Sequence, residues 1–417
     1  MKFVINGGKK ISGEIPVAGS KNAALPILAA TLLTNECCVI DNVPHISDVT
    51  ALLKIISSLG GEVSWTGKSQ VTICAQNVTY QAFDQKLIRS LRSSILLIGP
   101  LAVRCPFFEL YEPGGCIIGN RPLDAHFHGL RKLGVSIERQ NGTYLFTHRG
   151  LTGNEIIFPE VSVTATETVI MAAVRSVGTT IIKNAACEPH VQDLIEFLQK
   201  CGADISGSGT STLVIRGVKK LKGADHTIIP DPIEAGTFLI LALATRSTIT
   251  VSNVRTDHLD VVLEKLHSMG AKFSILHDAI TVEHSGVLQA QKVETRVYPG
   301  IPTDLQSLFG ILATQVQGTT LIHETIFEGR LGYIAELIKM GANAVICDPH
   351  RVIISGPTPL YGQEIRSNDL RAGISMIIAG CIAIGQTTLY DAEIIDRGYE
   401  HIEDRLRLLN IDIQRIE

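Results

Sequence analysis

Residues 52–65 read LLKIISSLGGEVSW, and the same design recurs five more times along the chain. Apolar residues at helical spacing run to a glycine, Gly60, and a short alternating stretch follows. Glycine at that place caps a helix by taking the left-handed conformation, and the alternation reads as a strand. The counterparts are GLRKLGVSIE (129–138), LIEFLQKCGADIS (194–206), VVLEKLHSMGAKFSI (261–275), YIAELIKMGANAVI (333–346) and EDRLRLLNIDIQRI (403–416). Their capping residues are Gly60, Gly134, Gly202, Gly270, Gly341 and Asn410, at intervals of 74, 68, 68, 71 and 69 residues.

A second, far more apolar helix precedes each of these. The six are NAALPILAATLL (22–33), LRSSILLIGPLAV (91–103), TETVIMAAVRS (166–176), EAGTFLILALATR (234–246), DLQSLFGILATQV (304–316) and DLRAGISMIIAGCIA (369–383). A strand such as TTIIKNA, STITVSNV or TTLIHET links the two helices. One unit is helix, strand, loop, helix, strand, strand. The first helix is apolar all round and is expected to be buried, whereas the second carries a charged outer face. A period near 70 exceeds that of solenoid repeats, so each unit is a small α/β subdomain. Three could pack their buried helices together with sheets outside, and six make two domains of three. Asp231-Pro232-Ile233-Glu234 has the N-cap, N1 proline and N3 acid of a helix start, which sets a boundary near residue 229. The expected domains are 21–229 and 1–20 plus 230–417, with the N-terminal stretch adding strands to the second.

The chain has 417 residues, 19% charged and 45% hydrophobic, with mean hydropathy +0.24. The longest uncharged run in the C-terminal third, Ala372 to Gln386, falls short of the ~20 apolar residues of a membrane span. MKFVINGGKK lacks an apolar signal core, so a cytoplasmic protein is expected. The net charge of −4 offers no general attraction to nucleic acid, and any anion site must be local. There are nine cysteines with no CxxC spacing, most in apolar or strand-like settings, and eight are expected to be reduced, buried thiols. His126 and His128 lack a third ligand, so no metal is expected, and no motif calls for a cofactor.

The ninth cysteine stands apart. Cys116 lies in YEPGGCIIGNRP (111–122), with Gly114, Gly115 and Gly119 around it and Arg121 downstream. Such a loop is expected to move, and a thiol on it is a candidate for proton transfer or attack on a substrate. Other unusual polar residues fall at helix starts: Lys21 and Asn22, Asp304, Asp369 and Arg371, Asp396 and Arg397. Helix N-termini attract anions, and a cation there is mildly mismatched unless an anionic ligand binds. Taken singly, Asp304 and Asp369 read first as plain caps, the commonest role of aspartate at a helix start, and the cations read as well as solvated surface charges.

Several strings appear in order and resemble one family: GSKNAALPILAA, PGGCIIGNRPLDAH, YPGIPTDLQ, DLRAG and IDRGYEHIEDRL. They are similar to those of the UDP-N-acetylglucosamine 1-carboxyvinyltransferases, and the similarity runs the whole length. The resemblance implies two inside-out α/β barrels, each of three pseudo-symmetric subdomains. It implies transfer of the enolpyruvyl group of phosphoenolpyruvate to the 3-hydroxyl of UDP-N-acetylglucosamine, the first committed step of peptidoglycan synthesis. Cys116 would be the general acid at the enolpyruvyl methylene, and Asp304 the base near the sugar hydroxyl. Lys21, Arg121 and Arg397 would hold phosphoenolpyruvate, with Asn22, Asp369 and Arg371 in the same site. Arg92, Arg121, Pro122, Leu123, Asp124, Ser162, Val163 and Ile326 would line the nucleotide-sugar site. Closure of the two domains and the loop would expel water.

Four residues depart from the family pattern: Glu160 for a lysine, Thr164 for a glycine, Ile394 for a histidine and Ser47 for a basic residue. They touch the diphosphate cradle and its surroundings. Two alternatives remain: the sister transferase acting on shikimate 3-phosphate, and a non-catalytic paralogue that binds the UDP-sugar.

Overall fold

In a computed structural model, residues 1–80, 83–115, 118–283 and 285–417 are described. All six capping residues take positive φ: +94° at Gly60, +98° at Gly134, +97° at Gly202 and Gly270, +103° at Gly341 and +63° at Asn410. A side chain with a Cβ is strained there, which is why glycine recurs and asparagine is the one substitute.

The chain divides into two compact units. One is built from Gly19–Gly115 and Arg121–Ile229 and the other from Met1–Ala18, Pro230–Glu417 and loop residues 118–120. Each contains three small sheets. In the first unit, Cys37–Asp41 pairs antiparallel with Val71–Cys74, which pairs with Glu62–Trp65. A fourth strand, Asp225–Thr227, joins Cys37–Asp41 in parallel from the far end of the unit. The sheet Phe107–Tyr111, Thr143–Thr147, Ser136–Gln140 has three strands, and the third runs Asp204–Ser206, Thr212–Arg216, Thr179–Lys183, Glu155–Ile157. The parallel strand is absent from the sequence reading, because three-residue segments such as Asp225–Thr227 carry too little alternation to register.

The second unit closes in the same way with borrowed strands. Ser12–Pro16 lies parallel to Thr248–Ser252. Lys2–Asn6 sits between Gln386–Tyr390 and Asp412–Ile416, antiparallel to both. It fills the place that Arg351–Gly356 holds in the preceding sheet, between Gly318–His323 and Asn343–Asp348. The N-terminus thus completes the last repeat.

The apolar helices form the centre of each unit. Every residue from Ile233 to Ala244 of helix Pro232–Ala244 is buried, as is every residue from Leu370 to Cys381 of Leu370–Ile382. Full burial of each large aliphatic side chain contributes about 1.5–3 kcal/mol, which these helices collect on all faces. Asp231 caps the first of them, accepting from Ile233 N at 2.8 Å and Glu234 N at 3.3 Å.

Two findings run against the sequence reading or lie outside it. Cys37 and Cys74 face each other across antiparallel strands and form a disulfide, so two of the eight cysteines expected to be reduced and buried are paired, and a third, Cys347 on an edge strand, is exposed. The reading missed the disulfide because its sequence separation of 37 hides a direct cross-strand register. The second is Glu167, fully enclosed in the apolar helix Val163–Ala173, with its Oε1 lacking a hydrogen-bond partner among the described residues. Burial, with the Glu188 charge nearby, holds its carboxyl well above the usual carboxylate range. A raised folded pKa means the native state keeps a proton that the unfolded chain sheds near pH 4.5, so stability falls as pH rises above that value. Glu167→Gln should therefore stabilise the protein at pH 8 and leave it unchanged near pH 4, as read by urea unfolding at both pH values.

Candidate active site

In the second unit, four charged residues from three segments meet. Asp304 lies in the short turn Thr303–Leu305 that leads into helix Gln306–Ala313. It does not cap that helix. Its Oδ1 accepts from Arg330 at 2.6 Å and its Oδ2 pairs with Arg371 at 2.8 Å. Asp369 does cap its helix, with Oδ1 accepting from Arg371 N at 2.8 Å and Ala372 N at 3.1 Å. The same oxygen faces Arg330 Nη1 at 3.4 Å. Two aspartates at similar helix starts therefore divide the work, one capping and one bridging two buried guanidinium groups.

Arg371 is 4% exposed. Burial alone would lower its pKa, but Asp304, Tyr399 and Asp231 together outweigh that cost and hold the guanidinium charged. It also stacks over the Tyr399 ring, 5.7 Å from its centroid, and the Tyr399 hydroxyl meets Thr237 Oγ1 at 2.9 Å. Arg397 lies half-buried at the end of the turn Ala392–Arg397. Its neighbour Asp396 is held by Arg415, with both contacts at 2.8 Å. Among the described residues, His401, Glu403 and Asp404 bring metal-ligating atoms together, but Glu403 is committed to Arg415 and Asp404 to Arg407.

Cys116 lies outside the described residues. The chain beyond it is tied down within this unit: Asn120 N donates to Glu328 Oε1 at 2.8 Å and Gly329 N to Ile118 O at 2.9 Å. Gly119 has φ +137°, and a Cβ there would lie 2.4 Å from Glu328 Oε2, so only glycine fits.

The first unit carries a second group of candidates. Lys21 opens helix Lys21–Ala30 and its Nζ meets Asp48 Oδ2 at 2.6 Å, with both side chains largely buried. Asn22 follows it, half-buried. Arg92 donates from Nη2 to the Arg121 carbonyl. Burial and the Arg121 charge lower its pKa to about 10. Pro122 and Asp124 are exposed and Leu123 is buried at the start of helix Asp124–Lys132. Ser162 and Val163 open helix Val163–Ala173 with no side-chain cap, so its first N–H groups are available to an anion.

Beside that helix start, His126 Nε2 meets Thr164 Oγ1 at 2.9 Å. Burial, then the charges of Arg92 and Arg121, push the imidazole down to about 3, so it is neutral near pH 7. This contact depends on Thr164, one of the four departures. Glu160 and Ser47 are exposed and Ile394 is half-buried.

Arg330, Glu324, Asp48, Tyr399 and the His126–Thr164 contact were not singled out from sequence. Arg330 is flanked by Gly329 with Gly332 two residues on, and a buried arginine between glycines is the one local signal that could have marked it.

The architecture is that of the enolpyruvyl transferases. A solved structure of the enolpyruvyl transferase NikO from Streptomyces tendae superposes with TM-score 0.90 at 23% identity, covering 99% of this chain and 98% of that one. An EPSP synthase from Acinetobacter baumannii gives TM-score 0.75 at 19% identity over 100% of both chains. The family model for EPSP synthase (3-phosphoshikimate 1-carboxyvinyltransferase) matches residues 5–406. In sequence, the chain is 42% identical to a UDP-N-acetylglucosamine 1-carboxyvinyltransferase from Koribacter versatilis, over 100% of this chain and 96% of the relative. It is 43% identical to one from Actinobacillus succinogenes over 99% of both. The chain belongs to the UDP-N-acetylglucosamine 1-carboxyvinyltransferase family. No described helix is long and apolar enough to cross a membrane.

Proposed function

We propose that the chain transfers the enolpyruvyl group of phosphoenolpyruvate to the 3-hydroxyl of UDP-N-acetylglucosamine, releasing phosphate and opening peptidoglycan synthesis. The observation that carries the reading is Asp304, a carboxylate lifted out of the capping role and oriented by Arg330 and Arg371. In the addition step the sugar oxygen attacks C2 of phosphoenolpyruvate. Asp304 takes the hydroxyl proton, and Cys116 supplies a proton to C3. In the elimination step the Cys116 thiolate takes a proton from C3 and phosphate leaves C2 with the proton from Asp304, which restores the double bond and both groups. A carboxylate held between two guanidinium groups is a weak base, suited to accepting the proton as the C–O bond forms rather than before.

Phosphoenolpyruvate carries a phosphate and a carboxylate, and arginine matches both in bidentate fashion. Lys21, Arg121 and Arg397 are assigned to these groups, with Asn22, Asp369 and Arg371 beside them. Arg92, Arg121, Pro122, Leu123, Asp124 and Ile326 are assigned to the nucleotide sugar, and Ser162 and Val163 to its diphosphate through the helix N-terminus. Fixed cations stabilise the charge that develops on the tetrahedral intermediate. Both substrates are multiply charged and do not cross a bilayer unaided, which supports a reaction in the cytoplasm, where phosphoenolpyruvate is made. The test is phosphate release: it should require both substrates, and folded protein that releases none at saturation overturns the reading.

A further inference from the structure

The geometry points to Glu324 as the positioning residue that sets the substrate-facing groups of the second unit, a role that rests on the function proposed above. Glu324 follows strand Gly318–His323 and is 0% exposed. Its Oε2 accepts from Thr303 Oγ1 at 2.7 Å. Its Oε1 accepts from Thr295 Oγ1 at 3.0 Å, Ile326 N at 2.9 Å and Phe327 N at 3.2 Å. No cation is among these partners.

Three segments meet on this carboxylate. Thr303 is the residue before Asp304, so the Oε2 contact fixes the turn that aims the proposed base. Ile326 and Phe327 begin the loop that runs on to Glu328 and Arg330. Those two residues hold Asn120 and Asp304 respectively. Thr295 anchors the arrangement from the other side: its hydroxyl also accepts from Thr325 N at 3.0 Å, and its carbonyl accepts from Thr325 Oγ1 at 2.6 Å. His350 clamps the Glu324 backbone, accepting from Glu324 N through its own carbonyl at 2.8 Å and meeting Glu324 O through Nδ1 at 2.7 Å. One buried side chain thus reaches Asp304 from two directions, through Thr303 and through the loop that carries Arg330. It also fixes Ile326, assigned above to the nucleotide sugar. A buried carboxylate surrounded by donors holds its neighbours rigidly, and small misplacements of reacting groups carry large rate costs.

The test uses Thr303→Val, Thr303→Ser, Glu324→Gln and the unaltered enzyme. Thr303→Val keeps shape but removes the donor to Oε2. It should lower kcat about 10- to 100-fold with KM for phosphoenolpyruvate little changed. Thr303→Ser restores the hydroxyl and should recover most of that loss. Glu324→Gln should lower kcat and also raise KM for UDP-N-acetylglucosamine through Ile326. Hydrogen exchange supplies a readout independent of turnover: in Glu324→Gln, amide uptake should rise in residues 303–306 and 325–330 and not in the first unit. Variants that melt earlier yet keep full kcat, or a Thr303→Ser no better than Thr303→Val, overturn the inference. An inactive unaltered enzyme counts against the proposed reaction instead, and the exchange pattern then decides the positioning role alone.

Discussion

Asp304→Asn is expected to lower kcat by about 10²–10⁴-fold while leaving KM for phosphoenolpyruvate within a few-fold. The amide keeps the side-chain shape and one acceptor oxygen, so one of the two arginine contacts, 2.6 Å to Arg330 or 2.8 Å to Arg371, can survive. What is lost is the capacity to take a proton from the sugar hydroxyl. A mutation that removes an interaction made in the transition state lowers kcat and kcat/KM together. Steady-state phosphate release at saturating substrates reads the effect directly. A variant within fivefold of the unaltered enzyme would remove Asp304 from the proton-transfer role and leave it a bridge between two arginines.

Arg371→Ala is expected to damage both stability and turnover. Its guanidinium is buried, paired with Asp304, stacked on Tyr399 and within 3.4 Å of the Tyr399 hydroxyl. Breaking a buried ion pair costs up to about 3–5 kcal/mol, and here Asp304 is left with Arg330 as its one guanidinium partner of the two described. For a unit near 200 residues a loss of that size lowers Tm by about 10 °C. Activity should fall by at least 100-fold even below the melting transition, because Asp304 loses one of its two orienting partners. Arg371→Lys keeps the charge but not the planar fork, so it should recover part of the stability and little of the rate. Melting curves together with assays at 20 °C separate the two effects. Full activity in a destabilised Arg371→Ala would make the residue structural alone.

The fold was unusually legible because the repeat is written in chemistry that has one reading. Gly60, Gly134, Gly202, Gly270, Gly341 and Asn410 occupy the one backbone conformation that penalises other residues. The apolar helices were legible for a similar reason, since sequences such as EAGTFLILALATR have no face to offer water. The short parallel strand Asp225–Thr227 was not, because it takes its identity from a partner far away in sequence.

The site was legible in part. Asp369 and Asp304 sit in near-identical helix-start contexts, yet one caps and the other bridges, and that difference is set by Arg330 and Arg371 in space. Beyond the glycines near Arg330, neither Arg330 nor Glu324 carries a local motif. The partners that tie them to the site lie far off in sequence: Asp304 and Asp369 are 26 and 39 residues from Arg330, and Thr303 and Thr295 are 21 and 29 from Glu324. Thr164 was legible as a departure from the family pattern, while its contact with a neutral, enclosed His126 was not.

The choice of acceptor for the enolpyruvyl group defines the reaction. The most direct measurement is phosphate release from phosphoenolpyruvate with UDP-N-acetylglucosamine or shikimate 3-phosphate offered side by side at equal concentration. Release is expected with the nucleotide sugar and only background with the shikimate. Release driven by shikimate 3-phosphate, or by neither acceptor, would contradict the proposed reaction.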